Sequence, residues 1–236
     1  MITKTIDSTR TLEEYRALKC RELLTRELKL KPESTVLEIG FGYGRESLWF
    51  ASRSFNIVAV EIIGKHCKAS KENFKRGGLG KNTAAVVEAD GQYLPFRENS
   101  FDLVYCEEVL HHVPNVRKIT TEMYRVAKRN GSAKAIDEPT KLNPLRGLAK
   151  LFEQVLHFKT YSLSMGTESL ETTFCSWQLR GYFEQAGFDR ANSGSIWLPY
   201  STKSKVYFRV WLLLEKLLER TFIPCIFGQL FVAGKK

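Results

Sequence analysis

VLEIGFGYGRE, Val36 to Glu46, sets an apolar run against one acid and three glycines at alternate positions. Glycine-rich turns between a strand and a helix usually cradle a phosphate, because the turn leaves backbone N–H groups pointing at the ligand. A dinucleotide fingerprint would read GxGxxG, but position 45 is Arg, so the spacing is GxGxG. Glu38, two residues ahead of the first glycine, would repel a pyrophosphate and would attract an ammonium or sulfonium centre.

Outward from this stretch, apolar runs and helical patterns alternate. Strands are expected at STVLEI, NIVAV, AAVVEA, DLVYC and SAKAID. Helices are expected from Arg45 to about Arg53, from about Gly64 to Arg76 and from about Asn115 to Lys128, with an earlier amphipathic helix within residues 11–29 that Pro32 ends. Short connections and β-branched strands in this order imply a doubly wound, mostly parallel sheet of the α/β class. Ligands of such sheets sit at the carboxyl ends of the strands. Chemistry-bearing residues do follow each run: Gly40, Gly42 and Gly44 after the first, Glu61 after the second, Asp90 and Gly91 after the third, Glu107, Glu108, His111 and His112 after the fourth, Asp137 and Glu138 after the fifth. Glu61 lies about 20 residues beyond the turn, where a carboxylate accepts hydrogen bonds from ribose hydroxyls. With Glu38 and Asp90, the proposed cleft holds three acids in a chain of net charge +10, which favours a cationic adenosine ligand over NAD or ATP.

The segments VLEIGFGYGRE, VAVEI, EADGQYLPFRENSFDLVYCEEVLHHVPN and EMYRVAKRNGSAKAIDEP together resemble the class I S-adenosylmethionine-dependent methyltransferases, in particular the group related to ubiquinone and menaquinone methyltransferases. The resemblance covers Val36 to Pro139 closely and returns weakly in LRGYFEQAGFD, Leu179 to Asp189. It implies a Rossmann-like seven-stranded sheet with an antiparallel last strand and helical insertions, and S-adenosyl-L-methionine as cofactor. By the same resemblance Glu38 orients the turn near the methionine ammonium, and Gly40, Gly42 and Gly44 let the backbone approach. Glu61, followed by Ile62, binds the ribose. Asp90 with the Gly91 amide binds the adenine, and the backbone at Glu107 helps hold the methionine moiety. Two departures stand out: Phe41 between the first glycines, whose bulk would narrow the turn, and RNGS at 129–132 in place of a proline- and glycine-rich turn.

His111 and His112 are the candidates for a general base acting on an acceptor hydroxyl, a task suited to a side chain titrating near neutrality. The alternative is that they only bond nearby backbone. Methyl transfer from a sulfonium needs mainly in-line positioning and exclusion of water, so no metal or covalent nucleophile is expected. The five cysteines stand singly, with no zinc spacing and no disulfide framework.

The whole chain, residues 1–236, is expected to form one domain: an N-terminal helix (1–30), a cofactor core (34–139), a helical cap (140–173) and C-terminal strands (174–236) with a helical insertion over 203–227. The apolar faces of the two insertions favour a small, apolar or lipid-linked acceptor methylated at oxygen. The 203–227 segment suits peripheral contact with a membrane, and packing on the domain or against a second copy in a homodimer is its alternative. Lacking an apolar leader or an 18-residue apolar run, the protein is expected in the cytoplasm or at the inner membrane face. The +10 charge leaves an RNA or tRNA methyltransferase as a competing reading, though the lysines at 65, 68, 71 and 75 fit a solvated helix face. A non-catalytic binder of the same cofactor is the third.

Overall fold

The computed structural model describes residues 12–28, 30–78, 84–142, 172–196 and 229–236. Helix α1 (Leu12–Thr25) leads into β1 (Thr35–Ile39), α2 (Arg45–Ala51), β2 (Asn56–Glu61), α3 (Gly64–Arg76), β3 (Ala84–Glu88), β4 (Phe101–Glu107), a 3-10 turn (Leu110–His112), α4 (Val116–Val126) and β5 (Ala127–Pro139). Helix α5 (Ser176–Ala186), β6 (Asp189–Ile196) and β7 (Gln229–Lys235) complete the described elements. The seven strands run in the order β3-β2-β1-β4-β5-β7-β6, with β7 antiparallel to both β5 and β6. Strand order therefore reverses between β1 and β4, which opens a crevice beyond their carboxyl ends.

The sheet is central because its strands are apolar on both faces. Val36, Leu37, Leu103 and Val104 are fully buried. One face packs Leu37, Val104 and Ala133 against Ile119, Met123, Leu179 and Phe183 from α4 and α5. The other packs Val36, Ile57 and Tyr105 against Cys20, Leu24, Phe50, Cys67 and Phe74 from α1, α2 and α3.

Local differences from the sequence expectation have local causes. Helix α1 stops at Thr25, with Glu27 at φ 63, so the chain turns before Pro32 is reached. Strand β5 begins at Ala127 and absorbs RNGS, with Asn130 at φ 66 taking the left-handed conformation that a glycine turn would otherwise supply. Gly187, at φ 108, caps α5, and β6 starts at Asp189, ahead of the expected SGSIWLP. That start is hidden in the sequence because DRANSG carries little apolar alternation and pairs only because β7 lies beside it.

The expected helical cap over 140–173 and the helix over 203–227 lie outside the described residues, apart from 140–142 and 172–173. Their bases are visible. Thr140 bridges Phe174, and Ile196 is the register partner of Gln229, so both excursions leave and re-enter at neighbouring points. Because Gln229 also pairs with Pro139, these points lie at the carboxyl end of β5. Among the described residues, no helix is long and apolar enough to cross a membrane.

Candidate active site

The glycine turn follows β1 directly. Gly40 takes φ 73 and Gly42 φ 53, which an L side chain rarely adopts, but the two do different jobs. A Cβ at Gly40 would strike the Val109 side chain, so this glycine lets the loop after β4 close onto the turn. A Cβ at Gly42 would meet nothing among the described residues within 4 Å, so this glycine borders open space. Gly44, also left-handed, starts α2.

Glu61 ends β2 and reaches back to the turn. Its Oε2 accepts the Gly42 N–H at 3.2 Å and its Oε1 accepts the Ile63 N–H at 3.1 Å. The buried Nδ1 of His66 has no hydrogen-bond partner among the described residues and lies 3.9 Å from Glu61 Oε2. Beside Glu61, Ile62 is 63% exposed. After β3, Asp90 Oδ1 accepts the Gln92 N–H at 2.8 Å, and the Gln92 side-chain amide also faces this carboxylate, in an Asx-type turn. Gly91 is required by packing, since a Cβ there would press on Ile39 and Ile119.

Glu38 is only 4% exposed and receives the Ser47 hydroxyl, with Tyr105 beside it. Burial pushes its carboxyl up to about 8, so at neutral pH it is largely a neutral acid that ties β1 to α2. Phe41 does not narrow the turn as its bulk suggested. It is 5% exposed and packs in the core with Cys20, Leu24, Phe50 and Tyr105, between the sheet and α1 to α3.

An acid-rich cluster of side chains lies at the ends of β4 and β5. Burial and the nearby Glu46 push Glu107 up to about 7, although Arg45 Nη2 stands 3.5 Å away. Asp137, at φ 60 beside a register shift of β5, is pushed up to about 6 by burial despite its ion pair with Arg16 of α1. Its Oδ1 is buried with no hydrogen-bond partner among the described residues. Cys20 brings its sulfur within 4.8 Å of oxygens of Glu107 and Asp137, but burial and these acids hold the thiol well above its usual range, and a protonated thiol is a poor metal ligand.

The structure thus places Gly40, Gly42, Gly44, Ile62, Asp90 and Gly91 on the turns that follow the first three strands, with Glu38 inside β1 and Glu61 and Glu107 as the last residues of β2 and β4. His111 and His112 occupy the 3-10 turn, their ring centroids 3.9 Å apart. Sequence reasoning missed Arg16 and the parts played by Asp137 and Glu138. The two acids carried a signal, since they end a strand on the rim where the others do. Arg16 carried none, because only tertiary packing brings α1 to that rim.

Residues 37–134 match a family described as the methyltransferase domain. Together with the sheet order and the glycine turn, that match decides the assignment. These residues are a class I S-adenosylmethionine-dependent methyltransferase domain. The chain is 28% identical over 153 residues to the sterol 4-C-methyltransferase strm-1 of Caenorhabditis elegans, a match covering 65% of this chain and 45% of that protein. It is 25% identical over 123 residues to the uncharacterized methyltransferase YcgJ of Bacillus subtilis, covering 52% of this chain and 48% of that one. The crystal structure of YcgJ superposes with a TM-score of 0.61 at 18% identity, covering 91% of this chain and 96% of that one. The demethylmenaquinone methyltransferase of Lactobacillus johnsonii is 24% identical over 128 residues, 53% of this chain and 52% of that protein. The methyltransferase match thus spans about half the length of these relatives.

Proposed function

We propose that the protein uses S-adenosylmethionine to methylate a hydroxyl of an apolar or lipid-linked small molecule. The observation that carries the cofactor half is the acid cluster: Asp137 keeps a buried oxygen without a hydrogen-bond partner among the described residues, beside a Glu107 pushed up to about 7. Buried acids in this state are stabilised by a cation, and the ligand of this fold brings an ammonium and a sulfonium. The rest of the donor set fits the same ligand. Gly42 lets the backbone approach it, while Gly40 seats the loop after β4 on the same turn. Glu61 has lone pairs left for two ribose hydroxyls, Ile62 offers an exposed apolar face, and Asp90 with the Gly91 amide presents an acceptor and a donor to an adenine edge. Glu38 acts through Ser47, fixing the start of α2 and hence the turn.

When bound, the cofactor supplies a methyl group on a positively charged sulfur, which keeps the bonding pair and leaves as a neutral thioether. The protein is left to orient the acceptor, exclude water and take up the hydroxyl proton. The apolar acceptor is supported by relatives named for sterol and demethylmenaquinone methylation, and by two apolar sequence excursions whose bases stand on the rim of the site. Such an acceptor partitions into lipid, so peripheral contact with a membrane is part of this reading.

Titration calorimetry tests the cofactor half: S-adenosylmethionine and S-adenosylhomocysteine should both bind the folded protein, and binding of neither would overturn it. Methyl transfer from labelled cofactor to a hydroxylated sterol or a quinol, scored for an ether product, tests the acceptor half. Label appearing only in RNA or only at carbon would redirect it.

A further inference from the structure

The Glu138 carboxylate is completely buried, and among the described residues its hydrogen-bond partners all lie in the loop after β4. Its Oε1 accepts the N–H groups of Val109 at 3.1 Å and Leu110 at 2.8 Å. Its Oε2 accepts the His111 N–H at 3.1 Å and lies 2.8 Å from His111 Nδ1. Backbone N–H groups can only donate, so both oxygens are acceptors, and the hydrogen in the fourth contact must sit between Oε2 and Nδ1. A carboxyl group already accepting three backbone N–H groups is favoured as a carboxylate that only accepts, so that hydrogen belongs to Nδ1.

We propose that Glu138 is a positioning residue: it holds the proton of neutral His111 on Nδ1 and thereby leaves Nε2 as the ring's proton acceptor. The loop geometry makes this more than a staple. The same carboxylate that takes three consecutive amides at the start of the 3-10 turn, from Val109 to His111, also takes the ring, so backbone and imidazole are fixed as one unit. Val109 in that unit packs onto Gly40, which ties it to the cofactor turn. In the transfer proposed above, Nε2 takes the proton of the acceptor hydroxyl as its oxygen receives the methyl group, and the ring becomes an imidazolium beside the buried Glu138 carboxylate. That proton later leaves to water, which returns the neutral ring. The inference rests on the proposed hydroxyl acceptor for its use but not for its test.

The test is a nitrogen NMR spectrum of the ligand-free protein with ring-labelled histidine, assigned by comparison with H111Q. His111 should show a protonated Nδ1 and an unprotonated Nε2 at a pH where the ring is neutral. In E138Q one carboxylate oxygen becomes an NH2 group. With the remaining oxygen held by the loop amides, that NH2 donates to Nδ1, so the Nδ1-protonated signal should be lost and an Nε2-protonated one appear. A wild-type spectrum with the proton on Nε2 overturns the proposal, as does an E138Q spectrum unchanged from wild type. Should E138Q fail to fold, the wild-type spectrum still decides. Cofactor titration of the same wild-type sample separates the two readings: binding with the wrong tautomer removes Glu138 and His111 alone, whereas no binding removes the methyltransferase reading and leaves the tautomer result standing.

Discussion

Gly40 and Gly42 look interchangeable in the string GFG, yet one faces protein and the other borders open space. Substituting Gly42 by Ala should therefore cost only about 1–2 kcal/mol in stability, the strain of an L residue at positive φ, while cofactor binding is lost because the Cβ occupies the ligand's place. Gly40→Ala should destabilise more, because the Cβ must also displace Val109, and such overpacking adds about 1–3 kcal/mol. Thermal melts paired with cofactor titration check both; equal losses of stability and binding in the two variants would contradict the division. The motif itself was legible from spacing. Which glycine touches what was not, since that depends on Val109, far along the chain. Glu38 and Phe41 show the same limit: their residue types were noticed, but which way each points is set by Ser47, Tyr105 and α1.

Helix α1 is held to the sheet by charge as much as by its apolar side chains. Lys134, buried on β5, donates to the Leu23 carbonyl at 2.7 Å and the Arg26 carbonyl at 2.8 Å, satisfying orphan acceptors at the helix C-terminus. Arg21 grips Glu46 of α2 with two hydrogen bonds, 2.7 and 3.1 Å long, and Arg16 reaches Asp137 and Glu108 at the rim. Lys134→Met keeps the volume but strands two carbonyls, so it should lower stability by about 1–3 kcal/mol. It should also speed proteolytic cleavage ahead of Glu33, while β1 to β5 keep their hydrogen-exchange protection. Protection lost evenly across the sheet would mean that α1 and the sheet unfold as one unit. The periodicity of residues 11–29 announced the helix, but a lysine in SAKAID reads as a solvent-facing strand position, so its anchoring role was invisible before the fold.

Across the molecule, buried acids outweigh buried bases at one rim, and this sets the pH response. Glu38, Glu107 and Asp137 have folded-state values of about 8, about 7 and about 6, all above the usual carboxylate range. The folded chain therefore binds more protons than the unfolded one through that window, and their contribution to stability is lost as pH rises. The melting temperature of the ligand-free protein should fall between about pH 5 and about pH 8. Lys134, lowered to about 8 by burial, works in the opposite sense but only above that value. A bound cation favours the ionised acids, so cofactor uptake near neutral pH should release protons. Calorimetry in two buffers of different ionisation heat would show this, and identical apparent enthalpies would count against a cation at the acid cluster. The class of sheet and the rim position of the site were legible because parallel strands dictate both. The charge balance was only half legible: the acids are in the sequence, but burial decides whether they carry charge.

The pairing of Ile196 with Gln229 has a consequence for how such a protein can change. Opposed residues of antiparallel strands stand about 5 Å apart, close enough to be joined by a two-residue turn. The paired strand ends thus form a sheet edge that does not depend on the length of the sequence joining them. Replacing residues 197–228 by an Asn-Gly turn should leave the sheet folded and the cofactor bound, while acceptor preference is erased or exchanged. By that logic new substrates can be acquired at this edge without retesting the catalytic frame.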